Sequence, residues 1–138
     1  LAGRITVDVD VAASLPTVVV DRVLLSRALT NMIENALHAM PGSGTLGIRA
    51  VSAPSKIRLS VTDTGTGMDS EALRRIFEPY FSRKEHGTGL GLAIVSRIVA
   101  DHRGYVRVHD AQPRGARFIV ELPAAPERAP RAAARVSG

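Results

Sequence analysis

Cysteine and tryptophan are both absent from the 138 residues. Without cysteine there is no disulfide framework and no thiolate metal site, and a small secreted scaffold is disfavoured. Aromatic residues amount to two tyrosines and three phenylalanines, too few for a platform on which nucleic-acid bases stack. No apolar run approaches the roughly 18 residues a membrane-spanning helix needs, and no signal peptide opens the chain. Lysine is nearly missing, with Lys56 and Lys84 alone among eighteen basic residues. The net charge of +5 is therefore carried by arginine. Part of it sits at the end of the chain, where Arg128, Arg131 and Arg135 face only Glu127. It reads as a solvated basic surface, and no nucleic-acid partner is expected.

What is present suits one soluble domain. The length falls in the usual domain range, and 45% hydrophobic with 22% charged residues matches a globular composition. Such a chain buries a core without staples. It begins at Leu1, not at methionine, so a fragment of a longer protein is expected. The stretch 124–138, rich in Ala, Pro and Arg and without apolar periodicity, reads as a disordered tail or linker.

Before that tail the signals alternate. Ile5, Val7 and Val9 alternate with polar residues, the pattern of a half-buried strand, and a second strand has room to follow. Asp21 is placed to cap a helix running to about Met40, where Pro41-Gly42 and Gly44 stop it. Leu46–Ser52 and Lys56–Asp63 flank Ala53-Pro54-Ser55 as a hairpin. A glycine-rich polar stretch with a short helix follows, from Thr64 to Thr88, long enough to be functional. A second helix is expected over Gly89–His102, with Gly104 just past its end. Two strands then centre on Val106/Val108 and Phe118/Val120/Leu122. Adjacent strand pairs imply a mixed, largely antiparallel sheet with helices on one face.

Three places carry chemistry. On the first helix, Leu25, Leu29, Met32, Ala36 and Met40 form an apolar stripe. Asn31, Asn35 and His38 form a separate polar one. That polar stripe either faces solvent or projects amide oxygens into a pocket, where they would suit a hard Mg²⁺ ion that also binds substrate phosphates. In the second place, Ile57, Leu59 and Val61 lead in phase to Asp63, which points toward the core side. Asp63 is either a turn aspartate or a carboxyl meeting a ligand donor. In the third, Gly87-Thr88-Gly89-Leu90-Gly91-Leu92 opens the second helix, as a hinge or as a cradle for phosphate. Its spacing fits neither the dinucleotide-binding nor the P-loop pattern. Aromatics in Phe77-Glu78-Pro79-Tyr80-Phe81 are expected to pin their loop, with Arg83, Lys84 and His86 within reach of phosphate.

Taken in order, Asn31-Met-Ile-Glu-Asn35-Ala, Asp63-Thr-Gly-Thr-Gly67, Phe77-Glu-Pro-Tyr-Phe81 and Gly87-Thr-Gly-Leu-Gly-Leu92 resemble the N, G1, F and G2 boxes of bacterial sensor histidine kinases. The resemblance covers roughly residues 15–123. Phe77–Lys84 with Ala39-Met40-Pro41 looks most like the nitrogen-regulation type. It implies an α+β, two-layer α/β sandwich of the gyrase, chaperone, kinase and mismatch-repair superfamily, over residues 1–123, with a mobile ATP lid at about 66–88. It also implies ATP and Mg²⁺ as cofactors. Asn35, assisted by Asn31, would hold the metal, and Asp63 would accept the adenine amine. Gly65 and Gly67 would shape the adenine pocket, with Phe81 also against the nucleotide. His38 and Lys84 would touch phosphate, and Gly87, Thr88, Gly89, Leu90 and Gly91 would close over it. Two positions depart from the commonest pattern, Thr64 where asparagine is frequent and His38 where lysine is, and a histidine is the weaker phosphate partner.

The resemblance further implies phosphoryl transfer to a histidine. In ATP-hydrolysing relatives the position of Asn31 resembles that of a glutamate that activates water, and an amide cannot act as a base. None of His38, His86, His102 and His109 lies in a helical phosphoacceptor motif. The acceptor would come from a helical dimerisation domain, and the phosphate would pass to a response-regulator receiver domain. The fragment is then expected to be monomeric and the whole protein homodimeric. The expected location is cytoplasmic, including the cytoplasmic part of a membrane-bound sensor. Other readings are a superfamily ATPase, a serine kinase, or a degenerate nucleotide-sensing module.

Overall fold

The computed structural model describes residues 4–81 and 90–126. Five strands form one sheet: β1 (Ile5–Val11), β2 (Gly44–Ala53), β3 (Lys56–Thr62), β4 (Tyr105–Asp110) and β5 (Ala116–Pro123). Their spatial order is β1-β2-β3-β5-β4. β1 runs parallel to β2, and the other neighbours are antiparallel. Helices α1 (Arg22–His38), α2 (Ser70–Arg75) and α3 (Gly91–Asp101) complete the fold. The expected mixed, mostly antiparallel sheet is present, and α1 and α3 pack together over one face of it.

Each helix follows from local chemistry. The Asp21 side chain accepts the Leu24 N–H at 3.0 Å and caps α1, satisfying one of the orphan donors of a helix start. Asp69 caps α2 in the same way through Ala72 N–H at 2.8 Å. The α1 stripe is buried at Met32 and Ala36 and runs on to buried Met40, and Ala28 joins it with no exposure. Val95, Ile98 and Val99 of α3 meet it above Ile57, Val61, Phe118, Val120 and Leu122 of the sheet. His102, just past α3, ties the two helices end to end. Its Nε2 accepts the Asp21 N–H at 2.9 Å, and its Nδ1 lies 2.8 Å from the Ile98 carbonyl. Those partners require the tautomer with the proton on Nδ1.

Two expectations change. β1 forms, but its apolar side is not half-buried: Val7, Val9 and Val11 are each more than half exposed. Register places them on the same face as Leu46, Ile48 and Ala50, yet β1 is the edge strand and the helices lie over β2, β3 and β4. No second strand precedes α1; residues 12–20 are irregular, with Leu15, Val18 and Val20 packed on the core. Gly104 lies just past α3 as expected, its N–H bonding the Val99 carbonyl at 2.9 Å, and Arg103 before it is left-handed (φ 61°).

The tail boundary also shifts. Ala124 and Ala125 donate to the carbonyls of Ser55 and Thr17 at 2.9 and 2.7 Å, so the body of the domain reaches at least that far. The rest of the expected tail lies outside the described residues. No helix among the described residues is long and apolar enough to cross a membrane.

On the sheet face away from the helices, Glu121 is buried among three cations. Its oxygens lie 2.8 Å from Arg58, 3.1 Å from Arg107 and 3.3 Å from Lys56. Hydrogen bonds from Arg107 and then Arg58 outweigh the cost of burial and hold its carboxyl at about 2, against an ordinary 4.5. A depressed folded value means the stabilisation is complete above about pH 4.5 and is lost as pH falls toward 2. The three cations are each about 35–40% exposed, so solvent screening reduces the effect to about 1–2 kcal/mol. Urea unfolding of Glu121→Gln is expected to show a deficit of that size at pH 7 that shrinks by pH 3. A deficit independent of pH would contradict it.

Candidate functional site

The polar stripe of α1 does not simply face water. Asn31 and Asn35 are half-buried, and His38, in the last turn, is exposed. The Asn31 amide nitrogen donates to the Gly91 carbonyl at 3.2 Å. That bond fastens the middle of α1 to the first residue of α3 and leaves the Asn31 oxygen uncommitted to it. The Asn35 amide nitrogen is buried and has no partner. An unpaired buried amide is costly unless something else completes it.

Asp63 follows β3 in phase, as its spacing implies, and is 1% exposed. Its Oδ1 accepts two backbone N–H groups, from Gly65 at 2.8 Å and Ala116 at 3.2 Å. Its Oδ2 is buried without any partner. One oxygen is thus fixed by the fold, and the other has no donor among the described residues.

The loop after Asp63 is moulded onto the end of α1. Thr66 N–H donates to the Ala39 carbonyl at 3.1 Å, and a side chain at Gly65 would collide with that carbonyl. Gly67 takes a left-handed conformation (φ 74°) and packs near Gly115. Gly115 is itself left-handed (φ 104°), and any Cβ there would strike the Asp63 carbonyl. The turn between β4 and β5 is therefore a wall of this site. Arg114 in that turn donates from Nε to the Gly65 carbonyl at 3.0 Å.

Phe77 pins its segment as expected: it meets Phe118 edge to face, with ring centroids 5.9 Å apart and planes at 87°. Tyr80 does not pin, being 78% exposed. Phe81 is half-buried, with the Arg75 guanidinium 4.7 Å above its ring. Leu90 precedes α3, which starts at Gly91 with no side-chain cap. Lys84, Gly87, Thr88 and Gly89, with Arg83 and His86, lie outside the described residues. The structure therefore brings Asn31 to Gly91, and the Asp63–Gly67 loop to the end of the helix that carries Asn35 and His38.

No group of three or more His, Cys, Asp or Glu suited to a metal occurs among the described residues. An ion carried mainly by a ligand's phosphates needs only one or two oxygen donors from protein. Half-buried Asn35 carries an amide oxygen of the hard kind such an ion takes, while its unpartnered nitrogen is a donor and cannot ligate a metal.

Residues 20–126 match the family described as histidine kinase-, DNA gyrase B- and HSP90-like ATPases. The chain belongs to that family. Among curated relatives, it is 39% identical over 110 residues to the sensor histidine kinase ZraS of Escherichia coli O157:H7, covering 80% of this chain and 24% of ZraS. It is also 39% identical over 112 residues to the nitrogen regulation protein NtrY of Azorhizobium caulinodans, covering 75% of this chain and 14% of NtrY. This chain thus spans a quarter or less of the length of these two relatives. Among solved structures, the mycobacterial sensor histidine kinase MprB superposes with a TM-score of 0.76 at 35% identity, covering 89% of this chain and 86% of that one. Full-length ShkA in complex with AMPPNP superposes with a TM-score of 0.77 at 37% identity, covering 91% of this chain and 27% of that one.

Proposed function

We propose that this chain is the ATP-binding catalytic domain of a sensor histidine kinase, which presents the γ-phosphate of Mg²⁺–ATP to a histidine on a separate helical dimerisation domain. The observation that carries the reading is Asp63, with one oxygen held by two backbone N–H groups and the other buried and unpaired. An adenine exocyclic amine is the donor that would complete it. Gly65 and Gly67 line the base pocket and Phe81 flanks the nucleotide. The start of α3 at Leu90 and Gly91, with Lys84, Gly87, Thr88 and Gly89 before it, receives the phosphates. The complex of this family's structural relative with AMPPNP supports a nucleotide as the ligand.

Asn35 holds the Mg²⁺, with Asn31 assisting through its oxygen, and His38 faces phosphate from the end of α1. The metal's contribution is to neutralise charge on the phosphates, and the chain's own residues supply orientation and exclusion of water. Asn31 cannot activate water. Glu34, three residues on, is exposed and off the line of the two asparagines. Hydrolysis is therefore slow and transfer to a partner is the outcome. The partners are the dimerisation domain of the same kinase and then a receiver domain, with this domain monomeric alone and the whole protein a cytoplasmic homodimer or the cytoplasmic part of a membrane-bound one. Identity to ZraS and NtrY is the same, so the nitrogen-regulation type rests on segments 77–84 and 39–41 alone.

The test is to mix this chain with a cognate helical dimerisation domain and labelled ATP. The expected product is phosphate on the helical domain, labile to acid and stable to base. An acid-stable phosphoprotein would make the chain a serine kinase, and rapid release of inorganic phosphate by the chain alone would make it an ATPase.

A further inference from the structure

We infer that Arg114, in the β4–β5 turn, is a positioning residue for base recognition: it clamps the loop that orients Asp63. The inference rests on the proposed nucleotide site and adds a residue that no box of the sequence contains. Gly65 is held at both ends. Its N–H donates to Asp63 Oδ1 at 2.8 Å, and its carbonyl accepts from Arg114 Nε at 3.0 Å. The same turn supplies the second donor on Asp63, the Ala116 N–H, while Asp63 N–H donates back to the Ala116 carbonyl at 2.9 Å. Hydrogen bonds thus join Asp63 to Gly65 and Ala116, and Gly65 to Arg114, and the backbone from Arg114 to Ala116 closes the ring. The only member from a side chain other than Asp63 is the Arg114 guanidinium.

The consequence follows from the glycines. A loop of the form Gly-Thr-Gly has few steric limits of its own, and ordering such backbone at the moment of binding costs free energy. Arg114 meets that cost in advance through a charge-assisted bond to a backbone oxygen. Arg114 is itself exposed, so its removal leaves no buried charge behind. Its contribution is expected in ligand binding and not in the core, of which exposed Arg114 is no part.

The experiment compares wild type, Arg114→Ala and Arg114→Lys by titration with ATP, ADP and inorganic tripolyphosphate, each with Mg²⁺. Arg114→Ala is expected to weaken ATP and ADP equally, by about 3- to 10-fold, and to leave tripolyphosphate unchanged. Arg114→Lys, which keeps a charged donor, is expected to recover part of the loss. Melting temperatures of the three proteins are expected to agree within a few degrees. Equal weakening of tripolyphosphate would make Arg114 a remote phosphate attractor and overturn the inference. Unchanged ATP affinity in Arg114→Ala would overturn it too. Failure of the wild type to bind any adenine nucleotide would instead overturn the nucleotide site itself, which distinguishes the two claims.

Discussion

Replacing Asp63 by asparagine is expected to weaken ATP binding by about 10- to 150-fold and to leave the fold intact. The asparagine oxygen can take over the bonds that Asp63 Oδ1 accepts from Gly65 and Ala116 N–H. The fold therefore keeps its contacts at this point. The other oxygen, buried and unpaired in the native protein, becomes an NH₂ group. It would present a donor to the donor of the adenine amine. A hydrogen bond of this charge-assisted kind is worth about 1.5–3 kcal/mol, which sets the expected factor. Calorimetric titration of the variant, with a thermal melt as the folding control, reads both halves of the prediction. Unchanged ATP affinity in a folded variant would remove Asp63 from the site.

Truncation of Phe118 is expected to have the largest effect on stability, about 3–5 kcal/mol for Phe118→Ala. Phe118 is 1% exposed at the centre of the core, on β5 next to β3. The substitution empties a large apolar volume and also removes the edge-to-face partner of Phe77. A domain of this kind has about 5–15 kcal/mol in total, so the loss is a large share of it. Phe77 stands just after α2 in the segment that leads to Phe81 and the candidate phosphate residues. The variant is therefore expected to loosen that segment as well as the core. Phe77→Ala, at a position only partly buried, is expected to cost less. Urea unfolding of both variants against wild type gives the comparison, and a loss below about 2 kcal/mol for Phe118→Ala would contradict the account of the core.

The elements that were legible in the sequence are those whose signal is local. The cap at Asp21, the stripe ending at Met40, the hairpin around Pro54 and the phase of Ile57, Leu59, Val61 and Asp63 all follow from periodicity and turn chemistry. Each is present in the structure. Asp63 was readable as either a turn residue or a ligand residue, and the sequence had no means of choosing. Its unpaired second oxygen, which only the packed structure reveals, is what supports the proposed ligand role.

What the sequence hid depends on contacts between distant segments. Arg114 meets Gly65, and His102 meets Asp21, across 49 and 81 residues. Neither residue carries a local mark of that role. Glu121 alternates like any strand residue until three cations from β3 and β4 are seen around it. β1 shows the opposite failure. Its alternation of valines is a correct signal for a strand, but burial depends on a covering layer, and the helices do not extend over the edge of the sheet. For Gly115, the one available clue was a glycine after Pro113 and Arg114, which is the ordinary mark of a turn. Its contact with Asp63 could not be read from that mark.

The most direct measurement is a calorimetric titration of the chain with ATP and with ADP, each with and without Mg²⁺. One site of micromolar affinity for ATP is expected, strengthened by Mg²⁺ through Asn35 and dependent on Asp63. A folded chain that binds neither nucleotide under any of the four conditions would contradict it, and Asp63 and Asn35 would then keep their unpaired atoms for some other ligand.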